Sequence, residues 1–408
     1  MDENNKKLDR FISAQDIIYE KVKKELGNAY KETHWMWFIF PQIQGLGITA
    51  KSNYYAIESV EEAKAYMKNP VLGTRLIECC RILLGLQENR ANRIFGYVDS
   101  LKLKSSMTLF LYVSNNPDFQ EILDKYFNGE KDYKTLEIIF NQTKEKSKII
   151  LGAIAGDIIG SCYESLRNSI KTTDFKLFSD ISRFTDDSVL TVATMDCLMS
   201  QDRDHNIYYQ RYGRNYPNAG FSRSFSNWIF LKDPQPYNSA GNGSAMRVSP
   251  VGWFFNTMEE TLTEARRSAE VSHNHPEGVK GAQSVAAAVF LARNGESKNE
   301  IRQYIEKSFG YDLQRKISKI RKSYKFSAES KYSVPESIIA FLDSTDFESA
   351  IRLAVSLGGD ADTQAAIAGS IAEAYYGGTP IHIAEQSIYR LPADFQEIIS
   401  RFSRIVVK

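Results

Sequence analysis

The chain is poor in cysteine and has no long apolar run, which argues against a disulfide-stabilised protein and against a membrane-spanning one. Its 408 residues include four cysteines, Cys79, Cys80, Cys162 and Cys197, and none of them has CxxC spacing. A disulfide framework is therefore not expected, and the thiols should be buried or idle in a reducing compartment. No stretch of about 18 apolar residues occurs, so we expect no membrane span.

An excess of charge of one sign is also missing. Lys and Arg number 51 and Asp and Glu number 50, which gives no overall electrostatic reason to expect nucleic acid but does not exclude it. The N-terminal sequence MDENNKKLDRFISAQ lacks the apolar core of a secretion signal, which predicts a cytoplasmic location. Internal repeats and low-complexity tracts are absent, and periodic strand signals are few.

The sequence shows helical periodicity, and its two parts differ in amino-acid composition. Residues up to about 145 are rich in Lys, aromatics and long aliphatics, whereas clusters of Gly and Ala begin at Ile150, and the polar stretch 142–148 marks the boundary. We predict domains at residues 1–145 and 149–408, and a mostly helical fold. The clearest helices are predicted at residues 61–68, 76–86, 118–127, 188–199, 281–293 and 365–376.

Two acidic motifs stand at predicted helix starts in the second part. GGDADT contains Asp360, Asp362 and Thr363, and RFTDDS contains Thr185, Asp186 and Asp187. An N-cap explains one such side chain, since carboxylates and hydroxyls cap free N–H groups. Three oxygen side chains within four residues exceed that need, and adjacent carboxylates repel each other unless a cation compensates. Hard oxygen ligands of this kind favour Mg²⁺ or Mn²⁺ over zinc or copper.

A third acidic motif, GDIIGSCYE, contains Asp157 and Glu164. The two acids are seven residues apart, so a helix that continued through both would place them on one face. Glu164 is either an exposed charge at a helix end or a metal ligand or general base. Gly152, Gly156 and Gly160 recur every four residues, which predicts a smooth stripe where another helix approaches closely.

A glycine-rich loop and a histidine pair complete the candidate site. The loop at residues 238–247, NSAGNGSAMR, is typical of an ordinary turn or of a backbone cradle for phosphates. In SHNHP, we expect His273 and His275 to make polar contacts to a ligand or to start the helix at Pro276, rather than to bind a metal.

Five stretches in this order, GAIAGDIIGSCYE, RFTDDS, GNGSAMRVSP, SHNHPEG and GGDADTQAAIAGSIAEAYYG, resemble the ADP-ribosylglycohydrolase family, which includes the hydrolase that reactivates dinitrogenase reductase. The resemblance covers residues 149–408. It implies an all-α fold with a binuclear magnesium site, for which Mn²⁺ is a substitute, and hydrolysis of the C1″ bond between ADP-ribose and an acceptor.

Carried over motif by motif, the resemblance assigns roles to single residues. The implied metal set is Glu164, Thr185, Asp186, Asp187, Asp360, Asp362 and Thr363. The implied catalytic residues are Glu164, Asp187 and Asp362, with Glu164 as metal ligand or base. The implied ADP-ribose groove contains Ser239, Gly241, Asn242, Gly243, Met246 and His273. The chain departs from the family at Ala240, where other members often carry a larger residue.

The first part carries weaker signals. His34 to Gln42, HWMWFIFPQ, is either a core element ended by Pro41 or an aromatic face for a base or a peptide. This stretch and Asn69 to Arg75 resemble a small α-helical domain of unknown function, DUF1810, over residues 6–142. The resemblance implies a compact helical fold and no assigned activity.

Three functions remain open on the sequence alone. The first is a magnesium-dependent hydrolase that removes ADP-ribose from a protein, a nucleic acid or a small molecule. The second is an ADP-ribose-binding module without turnover. The third is a bifunctional protein whose first domain binds nucleic acid through Trp35 and Trp37. The sequence does not distinguish arginine, serine, nucleobase and acetyl-ester linkages, and a monomer is the default expectation.

Overall fold

In the computed structural model, helices provide the regular secondary structure of the residues described, which are 3–114, 116–143, 146–164 and 169–407. Beside them this part of the chain contains three isolated β-bridges and no sheet. The all-α fold class is confirmed. The chain divides into two compact units, Met1–Glu145 and Lys146–Lys408.

The first unit is built from eight helices in its described residues. They are α1 (Glu3–Gly27), α2 (Met36–Ile39), α3 (Ala50–Tyr54), α4 (Val60–Lys68), α5 (Leu72–Gly85), α6 (Ala91–Ser114), α7 (Pro117–Phe127) and α8 (Tyr133–Thr143). Helix α6 is interrupted at Gly96, whose φ is +75°.

The aromatic stretch of the first unit belongs to its core. Trp35 is fully buried, and its indole N–H donates to Glu25 Oε2 at 2.7 Å. Burial alone would raise the pKa of Glu25, but hydrogen bonds from Thr33 and Trp35 lower that pKa to about 2. The aromatic-face interpretation is therefore wrong for Trp35. Trp37 is half-buried, with the Lys51 and Lys102 ammonium groups 5.1 and 4.8 Å from its ring centre.

The second unit contains fifteen helices in its described residues. They are α9 (Gly152–Gly160), α10 (Asp186–Met199), α11 (His205–Asn215), α12 (Arg223–Trp228), α13 (Gly243–Met246), α14 (Ser249–Phe254), α15 (Met258–Glu270), α16 (Pro276–Arg293), α17 (Lys298–Phe309), α18 (Ile317–Ser323), α19 (Ser330–Asp343), α20 (Phe347–Val355), α21 (Ala361–Tyr376), α22 (Ile381–Tyr389) and α23 (Ala393–Val406).

The six helices predicted from the sequence are confirmed as α4, α5, α7, α10, α16 and α21. Their observed starts lie one to five residues earlier than predicted. Helix α16 begins at Pro276 rather than at residue 281, since the His275 side chain accepts the N–H of Glu277.

Helices α9 and α21 cross closely because glycines line the face of α9 that contacts α21. A Cβ atom on Gly152, Gly156 or Gly160 would lie within 3.0 Å of the backbone of α21. Real Cβ atoms do not approach backbone that closely, so the predicted glycine stripe is confirmed as a contact face. The crossing holds the last turn of α9 against the start of α21, where Asp360 and Asp362 stand.

None of the helices in the described ranges combines the length and the apolar character needed to cross a membrane. All four cysteines are buried and unpaired, which confirms the expectation of buried thiols.

The glycine stripe can be tested with one added methyl group. Gly156→Ala forces Cβ into the carbonyl of Ala365, and overpacking of this kind lowers the free energy of unfolding by about 1–3 kcal/mol. Urea unfolding followed by circular dichroism measures the loss. Gly85→Ala is the control, because its Cβ meets no atom within 4 Å. Equal stability of the two variants would contradict the account.

Candidate active site

Asp157 is the anchor of the candidate site. It is fully buried on α9 and accepts hydrogen bonds from Thr185 N at 2.8 Å, Thr185 Oγ1 at 2.7 Å and Ser188 N at 3.0 Å, with a further one from Ser188 Oγ. Burial raises its pKa to about 6, although these donors oppose the rise. One carboxylate thus joins α9 to the start of α10.

Asp157 and Glu164 do not share a helix face, because no helix continues through both of them. Helix α9 ends at Gly160, where the chain turns through Ser161 and Tyr163, with Tyr163 N donating to Gly160 O at 2.8 Å. Asp157 points to the start of α10, whereas Glu164 lies beyond the turn and is half-buried.

Five carboxylates nevertheless converge in two overlapping groups. In the first, Asp157, Asp187 and Asp362 each offer an oxygen within 4.8 Å of the others. In the second, Glu164, Asp360 and Asp362 do the same. Asp362 belongs to both groups, so the acids form one cluster drawn from three segments that are distant in sequence, at residues 157–164, 187 and 360–362.

The burial and mutual repulsion of the acids in this cluster favour the binding of a cation. Burial, reinforced by the neighbouring carboxylates, raises the pKa of Asp186 to about 8 and those of Asp187 and Asp362 well above their usual range. The Oδ1 atom of Asp187 is buried and has no hydrogen-bond partner among the described residues. A divalent cation with oxygen ligands would satisfy both features, and the donor set fits Mg²⁺ or Mn²⁺.

The two threonines and one amide tie the cluster together. Thr185 is the N-cap of α10, as the sequence allowed, and its Oγ1 accepts the N–H of Asp187 at 3.3 Å. Thr363 Oγ1 donates to Asp187 Oδ2 at 3.3 Å. Asp360 occupies the N-cap position of α21, but its side chain makes no capping hydrogen bond, and its carboxylate accepts Asn242 Nδ2 at 2.7 Å. The capping explanation for Asp360 is therefore wrong.

A groove of about 480 Å³ opens above the acids. Twelve of the thirteen residues predicted for the site line it, and they are Glu164, Asp186, Asp187, Ser239, Gly241, Asn242, Gly243, Met246, His273, Asp360, Asp362 and Thr363. Thr185 lies behind them on Asp157. Residues that sequence reasoning missed line it too, among them Gly220, Ser222, Ser224, Phe225, Tyr237, Arg247, Phe326 and Ala328.

Two backbone amides of the glycine-rich loop donate hydrogen bonds within the protein. Asn242 N donates to Ala328 O at 2.8 Å, and Gly241 N donates to Ser239 Oγ at 3.2 Å. These two amides are therefore engaged within the protein, and the phosphate-cradle interpretation does not hold for them. Ala240 belongs to this loop, and its carbonyl accepts Ser330 N at 3.0 Å.

His273 faces the loop and is fixed in one orientation. A Cβ atom on Gly243 would lie 3.0 Å from His273 Nε2, so that nitrogen points into the groove. Arg247 Nη2 donates to Ser272 Oγ at 3.0 Å, and Ser272 Oγ lies 2.8 Å from His273 Nδ1. Because Arg only donates, the serine hydrogen is free to reach Nδ1, which favours the tautomer with N–H on Nε2.

Arg247 itself is a buried cation in the groove wall. Its side chain is 0 % exposed, and its Nε and Nη1 atoms have no hydrogen-bond partner in the described part of the chain. Its guanidinium lies 4.0 Å from the ring centre of Tyr209. Burial, with the charge of Arg247, lowers the pKa of His273 well below its usual range, so the imidazole is neutral near pH 7. This wall is positive, whereas the floor is acidic.

Comparison with known proteins gives two family matches and several relatives. A family model described as ADP-ribosylglycohydrolase matches residues 145–404, and one described as a protein of unknown function, DUF1810, matches residues 5–139. Both resemblances seen in the sequence are thus confirmed.

Among curated proteins, an ADP-ribosylarginine hydrolase of Pseudomonas putida is 28 % identical over 262 residues, covering 56 % of this chain and 69 % of its own. The human ADP-ribosylhydrolase ARH3 is 25 % identical over 308 residues, covering 56 % and 84 %.

Two solved structures are also similar. An ADP-ribosylglycohydrolase-related protein is 24 % identical, with 63 % of this chain and 96 % of that chain covered and a TM-score of 0.49. A conserved hypothetical protein of Mycobacterium tuberculosis is 44 % identical, with 32 % and 95 % covered and a TM-score of 0.32.

The raised pKa values predict a cation effect that depends on pH. Carboxylates with raised folded-state pKa values stabilise the fold at low pH, and that stabilisation is lost as pH rises through about 8. A divalent cation binds the ionised acids, so it should raise the melting temperature more at pH 8.5 than at pH 6. Thermal unfolding with and without 10 mM MgCl₂, roughly a saturating level for such sites, measures the difference.

The double variant Asp187→Asn and Asp362→Asn is the control for that experiment. Removing two repelling acids should stabilise the cation-free protein and abolish the response to Mg²⁺. A Mg²⁺ response that is unchanged in this variant would place the cation elsewhere.

Proposed function

The chain belongs to the ADP-ribosylglycohydrolase family, and we propose that it is a cation-dependent hydrolase that cleaves the C1″ bond between ADP-ribose and an acceptor. The cation is Mg²⁺, with Mn²⁺ as a substitute, and the acidic cluster holds two of them. The observation that carries the proposal is the convergence of five carboxylates, four of which line the groove while Asp157 lies behind them. Among the described residues, the buried Oδ1 of Asp187 has no hydrogen-bond partner.

The donors that would hold the cations are the acids and hydroxyls of the cluster. They are Glu164, Thr185, Asp186, Asp187, Asp360, Asp362 and Thr363. Bound cations would fix the vicinal hydroxyls of the distal ribose and favour ionisation of a water. Asp157 supports this set from behind, because it orients Thr185 and the start of α10.

Glu164 is the proposed general base. It is half-buried at the edge of the cluster and lines the groove, so it can reach both solvent and substrate. Glu164 takes a proton from water, the water oxygen bonds to C1″, and the bond from C1″ to the acceptor breaks. The acceptor leaves with the bonding electron pair and regains a proton. The surrounding carboxylates stabilise the positive charge that develops on the ribose.

The other wall of the groove suits the diphosphate of ADP-ribose. The favoured tautomer of His273 presents an N–H to the groove. Behind it lies the buried guanidinium of Arg247, whose Nε and Nη1 have no hydrogen-bond partner among the described residues. A positive group in a dry wall attracts phosphate more strongly than one in water. The small residues Gly241 and Gly243 leave room for the ligand beside the imidazole.

Arginine is the first acceptor to test, because one relative is an ADP-ribosylarginine hydrolase. Serine, nucleobase and acetyl-ester linkages form the rest of the panel. An ADP-ribose reader without turnover would gain nothing from five acids that repel one another, and this favours an enzyme over a binding module.

Two substitutions separate cation binding from proton transfer. Asp362→Asn should abolish both the Mg²⁺-dependent rise in melting temperature and the release of ADP-ribose, since Asp362 belongs to both carboxylate groups. Glu164→Gln keeps a carbonyl oxygen at the position of a proposed cation donor, so it should retain part of the Mg²⁺ response. It should lower kcat by about 100-fold or more, the usual effect of losing a general base. Free ADP-ribose released from the acceptor panel is the readout.

Asp174→Asn, an exposed acid outside the groove, is the matched control and should keep wild-type turnover. Normal kcat in Glu164→Gln would remove Glu164 from the role of base. Normal turnover in Asp362→Asn would contradict the cation site itself.

A further inference from the structure

A second groove, of about 830 Å³, lies next to the candidate active site. We propose that this groove binds the phosphodiester strand of a single-stranded nucleic acid that carries the ADP-ribose. We name it the strand groove and define it by Lys316, Lys319, Tyr324, Lys325, Phe326 and Tyr332. The proposal rests on the proposed function and specifies its acceptor.

The first argument is local charge. The groove is lined by four Lys or Arg and two Asp or Glu, a net charge of +2, and they are Arg315, Lys316, Lys319, Lys325, Asp312 and Glu336. The segment 311–332 as a whole carries +5, although the whole chain carries +1. Some of this charge is already balanced, since Lys316 pairs with Asp343 at 2.9 Å and Arg315 pairs with Glu336 at 2.7 Å. Lys319 and Lys325 are exposed and form no ion pair within the described residues. They remain available for phosphates.

The second argument is the aromatic lining. Phe326 is 47 % exposed and Tyr332 is 52 % exposed, and the half-buried Tyr324 lines the same groove. Proteins bind single-stranded nucleic acids with lysines beside exposed aromatic rings, because the lysines contact the phosphates and the bases stack on the rings. An acidic peptide would match the lysines but leave the rings in water.

The third argument is continuity with the site. Phe326 lines both grooves. The ring of Tyr324 packs on Gly359, the residue before Asp360, so closely that a Cβ on Gly359 would lie within 3.0 Å of it. The end of segment 311–332 is held against the glycine-rich loop, since Ser330 Oγ donates to Gly241 O at 2.8 Å. A strand in this groove would therefore present an attached ADP-ribose to the acids.

Fluorescence anisotropy of a labelled single-stranded oligonucleotide tests the proposal on the full chain, without any hydrolysis. Wild-type protein should bind the strand in preference to its duplex, with an affinity that falls as NaCl rises. The double variant Lys319→Glu and Lys325→Glu should weaken binding at least tenfold. It should also reduce the slope of log K against log salt by about 1.4, because each lost phosphate contact contributes about 0.7. Tyr332→Ala should weaken binding about fivefold or more.

A charge-matched control variant distinguishes binding in the strand groove from a general effect of net charge. Lys176→Glu with Lys307→Glu changes net charge equally at exposed positions outside the groove, and it should bind the strand like wild type. Equal losses in both double variants, no loss in either, or equal binding of polyglutamate would overturn the proposal. Strand binding by a wild-type protein that releases no ADP-ribose would instead count against the proposed hydrolase and leave the groove standing.

Discussion

Mutual repulsion of buried carboxylates is the constraint on which the second unit depends. Asp157, Asp187 and Asp362 are buried within reach of one another, and Asp360 and Glu164 adjoin them. Each acid destabilises the ionised form of the next, so the cation-free fold retains protons that a free carboxylate would lose. The glycine face of α9 sustains this arrangement, since side chains there would separate α9 from the start of α21. Fold and site therefore share one helix crossing, and the site holds the electrostatic energy that a cation would relieve.

Local rules predicted the parts of this site that sit at helix ends. Thr185 has the sequence context of an N-cap and is one, and the four-residue spacing of glycine predicted the close α9–α21 contact. Both follow from a few neighbouring residues. The acids were recognised in the same way, because three oxygen side chains at one helix start exceed what capping requires.

The remaining features depend on contacts distant in sequence. Asp157 was considered only for its spacing to Glu164, whereas its hydrogen bonds reach 28 and 31 residues along the chain. Its signal was an acid inside an otherwise apolar helix. Phe326 and Ala328 carry no motif, and they reach the groove through an amide contact between Asn242 and Ala328. Periodicity and spacing do not encode such contacts.

The floor of the site, its wall and the neighbouring strand groove differ in charge and in burial. The floor is buried and acidic, the wall carries a buried guanidinium behind a neutral imidazole, and the neighbouring groove offers exposed lysines and rings. The central claim concerns the floor. Anomalous diffraction from crystals grown with Mn²⁺ tests it most directly: the account predicts strong peaks among the carboxylates of Asp187, Asp360 and Asp362. Peaks confined to the surface, with these acids paired to lysine or arginine or turned outward, would contradict it.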